Sequence, residues 1–361
     1  MVHNVAIAIK IFLPSVVAFM SGILITPFFS DLFYKYRLWK RSSRSSNENH
    51  TKGDLEMNQE FVQIHNAEDE IKTPRVGGII VWVSVIFALA GSIALSHFSV
   101  GYIPEGYLNF LSRNQTLIPF LCMILGALLG LADDLLQIFG GQYQLTVGIP
   151  RRIRILLVSI LGFLVGSWFY YKLGHESLAL PFQLGDIHLG IFFIPFVIVV
   201  ILALFSSSVI DGIDGLAGGV MASIFGSYGV IGMLQGQFDI AAFSFAVMGA
   251  LLAFLWFNIP PARFYLGETG ILALTLSLAV LIFLTDTVFE FLVLGFPLVI
   301  TAFSSLAQII SRRLFHKKIF KVAPLHHHLE AIGWSREKIT MRYWVFSVIC
   351  SASGIIFVLI G

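Results

Sequence analysis

The chain has 361 residues, 57% of them hydrophobic and only 12% charged, with 34 Phe and a formal net charge of +2. Mean hydropathy is +0.85. A soluble domain carries roughly 25% charged residues, so a chain this apolar has no polar shell to turn toward water and a soluble globule is excluded. Cys122 and Cys350 both lie in apolar runs and read as small hydrophobes, not as a disulfide framework or a zinc site.

Ten apolar stretches are long enough to cross a bilayer as helix: about 5–29, 76–98, 115–132, 153–172, 190–207, 217–234, 240–257, 269–285, 288–311 and 341–360. The short alternating segments of a strand barrel are missing. The expected fold is therefore all-α: one polytopic membrane domain over 1–361 with about ten transmembrane helices. The first stretch has Lys10 as its only early charge and runs on into a basic loop, so it reads as a span and not as a cleaved signal. The connections alternate in character. Of the 23 Lys and Arg, all but Lys10, Arg113 and Lys172 fall in or beside the connections 30–75, 133–152, 208–216, 258–268 and 312–340. The positive-inside rule places that set in the cytoplasm and, with ten spans, both termini outside. Within the longest connection, residues 40–70 are polar and predicted to be a mobile cytoplasmic loop.

Every polar motif falls on the same cytoplasmic set. In chain order they are "KTPRVGG" (72–78), Asp133-Asp134, "DGIDGLAGG" (211–219), "NIPPARFYLGETG" (258–270) and "PLHHHLE" (324–330). Ionisable residues near membrane depth are expensive and point to function, so the five clusters predict one converging site at the cytoplasmic mouth of a helix bundle. Asp133 and Asp134 close the third stretch, where a carboxylate opposes the helix dipole. Two adjacent carboxylates also resist joint ionisation without a cation or donor nearby. Either would serve as a base or a metal neighbour; the plainer alternative is a solvated helix end. Asp211 and Asp214 are three apart and would share a face on a helical turn, with four glycines allowing close backbone approach. Ligand binding competes there with an Asp N-cap for the sixth span. Glu268 stands at a predicted helix start, as a cap or as a hard-metal ligand. Arg263 offers a hold on phosphate and Tyr265 a flat face for a base. His326, His327 and His328 are consecutive and diverge, unlike zinc pairs spaced i, i+4. With basic neighbours they suit a diphosphate.

Together these motifs resemble the polyprenyl-phosphate N-acetylhexosamine-1-phosphate transferase family, from about residue 72 to the C-terminus. "APLHHHLEAIGW" followed by "RYW" is most like the muramoyl-pentapeptide branch, whereas "KTPRVGG" is more like the branch transferring N-acetylglucosamine-1-phosphate. The resemblance implies a bacterial inner-membrane enzyme with its site toward the cytoplasm. It would move a sugar-1-phosphate from a UDP-sugar, with UDP-N-acetylmuramoyl-pentapeptide favoured, to a polyprenyl phosphate, releasing UMP. It implies magnesium, with manganese as a substitute, and a homodimer, and gives no role to nucleic acid. By position, Asp133 resembles the base on the lipid phosphate, with Asp134 beside it. Glu268 resembles the metal-binding acid, and Asp211 and Asp214 the acids near metal and nucleoside. Asn258 and Tyr265 match the uridine pocket, the three His the diphosphate contact, and Lys72 and Thr73 approximately a substrate-contacting loop. Three positions depart from the pattern: Gln137, Ser208 where Asn is usual, and Glu268 where Asp is usual. The alternatives are another surface polymer's transferase, an inactive relative, and a cation-binding transporter. A transporter would place ionisable groups within its spans or show inverted repeats, and the predicted spans two to nine have none away from their ends.

Overall fold

The computed structural model describes residues 2–39, 73–98, 107–111, 114–140 and 148–360. The loop predicted to be mobile, 40–70, and Lys72 lie outside the described residues. The ten expected spans are all helical: α1 (Val2–Lys35), α2 (Gly78–Phe98), α3 (Asn114–Phe139), α4 (Arg151–Leu173), α5 (Phe193–Ser206), α6 (Leu216–Leu234), α7 (Phe238–Asn258), α8 (Gly267–Leu284), α9 (Phe296–Phe315) and α10 (Arg336–Ile360). Among the described residues ten helices are long and apolar enough to cross a membrane, and the protein is a multi-pass membrane protein. Helix is the form such spans must take, because hydrocarbon offers no partner to a free N–H or C=O.

Burial sorts the helices into a core and a rim. In α8, 89% of the membrane stretch is buried, and in α6 and α7 78%, against 28% in α1, α4, α9 and α10. α8 is thus the axis of the bundle, and the rim helices present Leu, Phe and Ile to lipid. Small residues set the tightest crossings, as is usual where backbones must approach closely in a membrane. Gly130 of α3 lies against the Glu268 carbonyl and Gly126 against the Leu272 carbonyl, so α3 and α8 run in backbone contact. Gly78 of α2 abuts Gly270 of α8 in the same way.

The structure departs from the sequence reading in three places. α3 continues through Phe139, beyond the Asp133-Asp134 pair that was expected to end it. The stretch 288–311 is divided: a short turn of helix (Phe291–Leu294) stops at Gly295, and α9 restarts with Pro297 in its first turn, where a missing N–H is harmless. The connection after α4 carries a small antiparallel hairpin, β1 (Ser177–Ala179) with β2 (Asp186–His188), in register Leu178 to Ile187. At that same end Lys10 of α1 pairs with Asp239 of α7, both buried. The opposite end gathers the polar connections.

Candidate active site

Neighbouring residues on a helix point about 100° apart, and this separates the two carboxylates of α3. Asp134 faces α8. It accepts hydrogen bonds from the Thr269 N–H (2.9 Å), the Thr269 hydroxyl (2.7 Å) and, at 3.3 Å, the Glu268 N–H. The residue before α8 is Leu266, which has no capping oxygen. Asp134 therefore caps α8 from a different helix, and its charge meets the positive end of that helix dipole. Asp133 faces α4. It accepts from the Ile149 N–H (2.6 Å) and Gln137 Nε2 (2.8 Å) and takes Arg154 Nη2 at 3.0 Å on Oδ1 and 2.9 Å on Oδ2. Gly148 turns the chain there with φ +77°, and a Cβ on it would stand 2.6 Å from Asp133 Oδ1, so only glycine fits.

Glu268 is the second residue of α8. Its Oε1 receives Arg154 Nη1 at 2.9 Å, so one guanidinium spans Asp133 and Glu268. Asp211 and Asp214 lie in a turn, not on a shared helical face, and α6 starts after Gly215 (φ +74°) with no side-chain cap. Asp211 Oδ2 accepts the Gly267 N–H (3.1 Å), next to Glu268, and Asp214 Oδ2 accepts the Ala262 N–H (3.0 Å). Burial pushes the Asp211 carboxyl up to about 7, against the pull of the Arg75 guanidinium and the Gly267 hydrogen bond. Buried Asn258 accepts the Gly215 N–H (3.0 Å) and donates to the Phe264 carbonyl (2.8 Å), tying the two loops together. α10 latches the same turn: the Thr340 hydroxyl donates to the Asp214 carbonyl and Trp344 Nε1 to the Gly215 carbonyl, each at 3.0 Å.

The three histidines sit on the short helix Leu325–Ala331, and they do not all diverge as expected: two converge and His328 turns away. His326 and His327 are buried with ring centroids 4.2 Å apart. Both point their Nε2 at the Asp211–Asp214 turn: a Cβ on Gly212 would lie 2.7 Å from His327 Nε2 and 2.9 Å from His326 Nε2. His327 Nδ1 is 2.6 Å from Glu330 Oε2, and Arg336 Nε donates to Glu330 Oε1 at 2.7 Å. Burial raises the Glu330 carboxyl, but these two partners outweigh it and hold it below the ordinary value. His328 turns the other way, packs on Phe320 and accepts the Lys321 N–H.

The remaining motif residues flank this centre. The Tyr265 N–H donates to the Pro74 carbonyl (2.8 Å) and the Gly77 N–H to the Tyr265 carbonyl (2.9 Å), which clamps the 73–77 segment to the Arg263–Leu266 loop. Thr73 and Tyr265 are half-buried. Arg263 is exposed, its guanidinium over the Phe257 ring. The five polar clusters thus meet at one end of the bundle, Lys72 excepted because it is not among the described residues.

Several residues of the site were not singled out in the sequence. Arg154, Glu330, Arg336, Thr340 and Trp344 hold it together, and Arg75 adds positive charge near Asp211. For Arg154 a signal existed: it sits four before Val158 on the stripe Val158, Gly162, Val165, Phe169 that faces the core, whereas Arg151 and Arg152 are exposed.

A divalent cation fits the donor set at Glu268. Among the described residues no group of three His, Cys, Asp or Glu is placed to hold a metal. Magnesium, however, commonly takes one or two carboxylates and completes its shell with water and substrate phosphate. Glu268 Oε2 is a buried carboxylate oxygen with no hydrogen-bond partner among the described residues, and Asp211 is the adjacent acid across the Gly267 N–H.

A membrane-helix bundle with carboxylates, arginines and histidines at one mouth is the build of an integral-membrane enzyme for phosphorylated substrates. Residues 116–286 match the family described as glycosyl transferase family 4. A phospho-N-acetylmuramoyl-pentapeptide-transferase of Latilactobacillus sakei is 34% identical over 336 residues, covering 92% of this chain and 95% of that protein. The protein of that name from Clostridium perfringens (strain 13) is 31% identical, covering 94% and 96%, and the one from Enterococcus faecalis is 33% identical, covering 77% and 82%. The chain belongs to the glycosyl transferase family 4, with these phospho-N-acetylmuramoyl-pentapeptide-transferases among its relatives.

Proposed function

We propose that the protein transfers phospho-N-acetylmuramoyl-pentapeptide from its UDP-linked form to a polyprenyl phosphate, releasing UMP, as a step of peptidoglycan synthesis. The observation that carries this is the convergence of Asp133, Glu268, Asp211 and the His326–His327 pair on one mouth of an apolar bundle, in a chain whose relatives bear that enzyme's name over nearly their whole length. The basic connections support a cytoplasmic orientation for this mouth and an attraction for two anionic substrates.

The oxygen of the lipid phosphate attacks the phosphorus bonded to the sugar, and the bond to the UMP oxygen breaks. A phosphate monoester is already largely ionised near neutral pH, so little proton removal is needed, and Asp133 organises charge around the acceptor. Arg154, Arg75 and the His326–His327 face present donors to the diphosphate, holding it in line with the attacking oxygen. Tyr265, backed by the Pro74 and Gly77 hydrogen bonds, offers a stacking face for uracil. Glu268 and Asp211 would hold magnesium, which when bound supplies neutralisation of the donor's diphosphate.

The test is UMP release by the purified protein with polyprenyl phosphate, magnesium and separate UDP-sugars. UDP-N-acetylmuramoyl-pentapeptide is expected to give turnover and UDP-N-acetylglucosamine none. The reverse preference would move the protein to another surface polymer, and silence with every donor would refute the enzyme assignment.

A further inference from the structure

We propose that Arg154 competes with the divalent cation for Glu268, so that cation and UDP-linked donor bind cooperatively: the donor's diphosphate draws the guanidinium off Glu268 as the cation takes its place. This rests on Glu268 being the cation's ligand in the reaction proposed above.

The guanidinium is anchored unequally. Nη2 reaches both oxygens of Asp133, at 3.0 and 2.9 Å, while Nη1 makes one contact with Glu268, Oε1 at 2.9 Å. Asp133 has further donors in the Ile149 N–H and Gln137 Nε2 and is fully buried, whereas the Glu268 side chain is 23% exposed. Asp133 therefore keeps hydrogen-bond donors whatever happens at Glu268. At the other end the pairing is incomplete: Arg154 Nε and Glu268 Oε2 are both buried without a hydrogen-bond partner among the described residues. An acceptor-rich diphosphate would satisfy the first, and a cation the second.

Competition follows from charge. Arginine stays protonated at any working pH and presents a planar fork suited to carboxylate or phosphate. A cation on Glu268 would lie within a few ångströms of a fixed positive charge, in a mouth where water screens poorly. The conflict is not relieved by losing a proton; it is relieved when the guanidinium moves to another anion. Side-chain rotation suffices, since the α4 backbone is fixed by the packed Val158–Phe169 stripe. By linkage the effect is reciprocal: the donor tightens the cation as much as the cation tightens the donor.

The experiment titrates the full-length protein in nanodiscs with Mn2+, read by electron paramagnetic resonance, with and without saturating UDP. For wild type, UDP is expected to tighten Mn2+ by about tenfold, within the usual range of coupling between sites. In Arg154→Met, Mn2+ alone should bind about tenfold tighter than to wild type, and UDP should add little. Arg154→Lys keeps the charge but loses the fork, so Mn2+ alone should bind at least about threefold tighter than to wild type; this variant is decisive if Arg154→Met does not fold. Unchanged Mn2+ affinity in the variants, with binding abolished in Glu268→Gln, overturns the competition and leaves the metal assignment intact. No Mn2+ binding to wild type or variants overturns both.

Discussion

Asp134 separates an architectural role from a chemical one, and substitution there has a calculable outcome. Its carboxylate receives the Thr269 N–H, the Thr269 hydroxyl and, more weakly, the Glu268 N–H, and it is 1% exposed. Asp134→Ala removes the cap of α8 and so strands a buried Thr269 N–H, a single loss of about 1–3 kcal/mol. The hydroxyl can turn to a carbonyl of its own helix, so little is added. Asp134→Asn keeps an amide oxygen for both Thr269 donors but loses the charge at the helix dipole. It also turns an NH2 toward the Glu268 N–H, for about 1–2 kcal/mol. Thermal unfolding in detergent should therefore rank wild type above Asn above Ala, and UMP release should fall in the same order, because the backbone carrying Glu268 loosens with the cap. An Asp134→Asn protein with wild-type stability and no turnover would refute this reasoning and make the carboxylate a chemical participant.

Three further outcomes follow from other parts of the molecule. Glu330→Gln should lower stability by about 1.5–3 kcal/mol at neutral pH, the range for hydrogen bonds to a charged group. The folded-state value of Glu330 lies below its ordinary 4.5, so wild type holds this advantage above about pH 4.5 and loses it as pH falls through the lower folded value. Unfolding curves of the two proteins should converge in acid, and a pH-independent gap would argue against the ion pair. Gly212→Ala should reduce UMP release severely with little loss of fold, since its methyl would intrude on both histidine Nε2 atoms at 2.7 and 2.9 Å; near-normal turnover would mean the His pair does not face the site. Lys10→Met should destabilise by about 3–5 kcal/mol by leaving Asp239 buried without its cation, and Lys10→Met with Asp239→Leu should recover most of it. A double variant no better than the single, by thermal unfolding, would assign the pair no mutual energy.

Much of this was legible because a bilayer leaves few choices. The ten spans follow from length and hydropathy, and the meeting of five motifs follows from their sharing one set of connections. What escaped reading depends on partners distant in sequence. Asp133-Asp134 looks like a helix end because carboxylates oppose the dipole of their own helix, yet Asp134 answers the dipole of α8, 135 residues away from Thr269. Asp211 and Asp214 have helical spacing, but Gly212 and Gly215 leave them in a turn whose backbone partners are Gly267 and Ala262. Arg154 was absorbed into the positive-inside count, which treats all basic residues alike. Only its register on α4 separates it from Arg151 and Arg152, which are exposed. Asn258, matched to a uridine pocket by resemblance, has its amide engaged by Gly215 and Phe264, so it also sets loop shape.

The latch from α10 bears on how the protein is made. Thr340 and Trp344 hold the carbonyls of Asp214 and Gly215, and Arg336 braces the Glu330 that fixes His327. These three residues belong to α10, which follows the other nine membrane helices in the chain. Nine spans can therefore enter the bilayer, and α8 can dock on α3, while the acidic turn and the histidine helix still lack their supports. Completion of the site coincides with insertion of α10, so a nascent chain has its carboxylates in the membrane before it can align a diphosphate. A translation product stopped after α9 would lack the Thr340, Trp344 and Arg336 contacts that brace the acidic turn and Glu330.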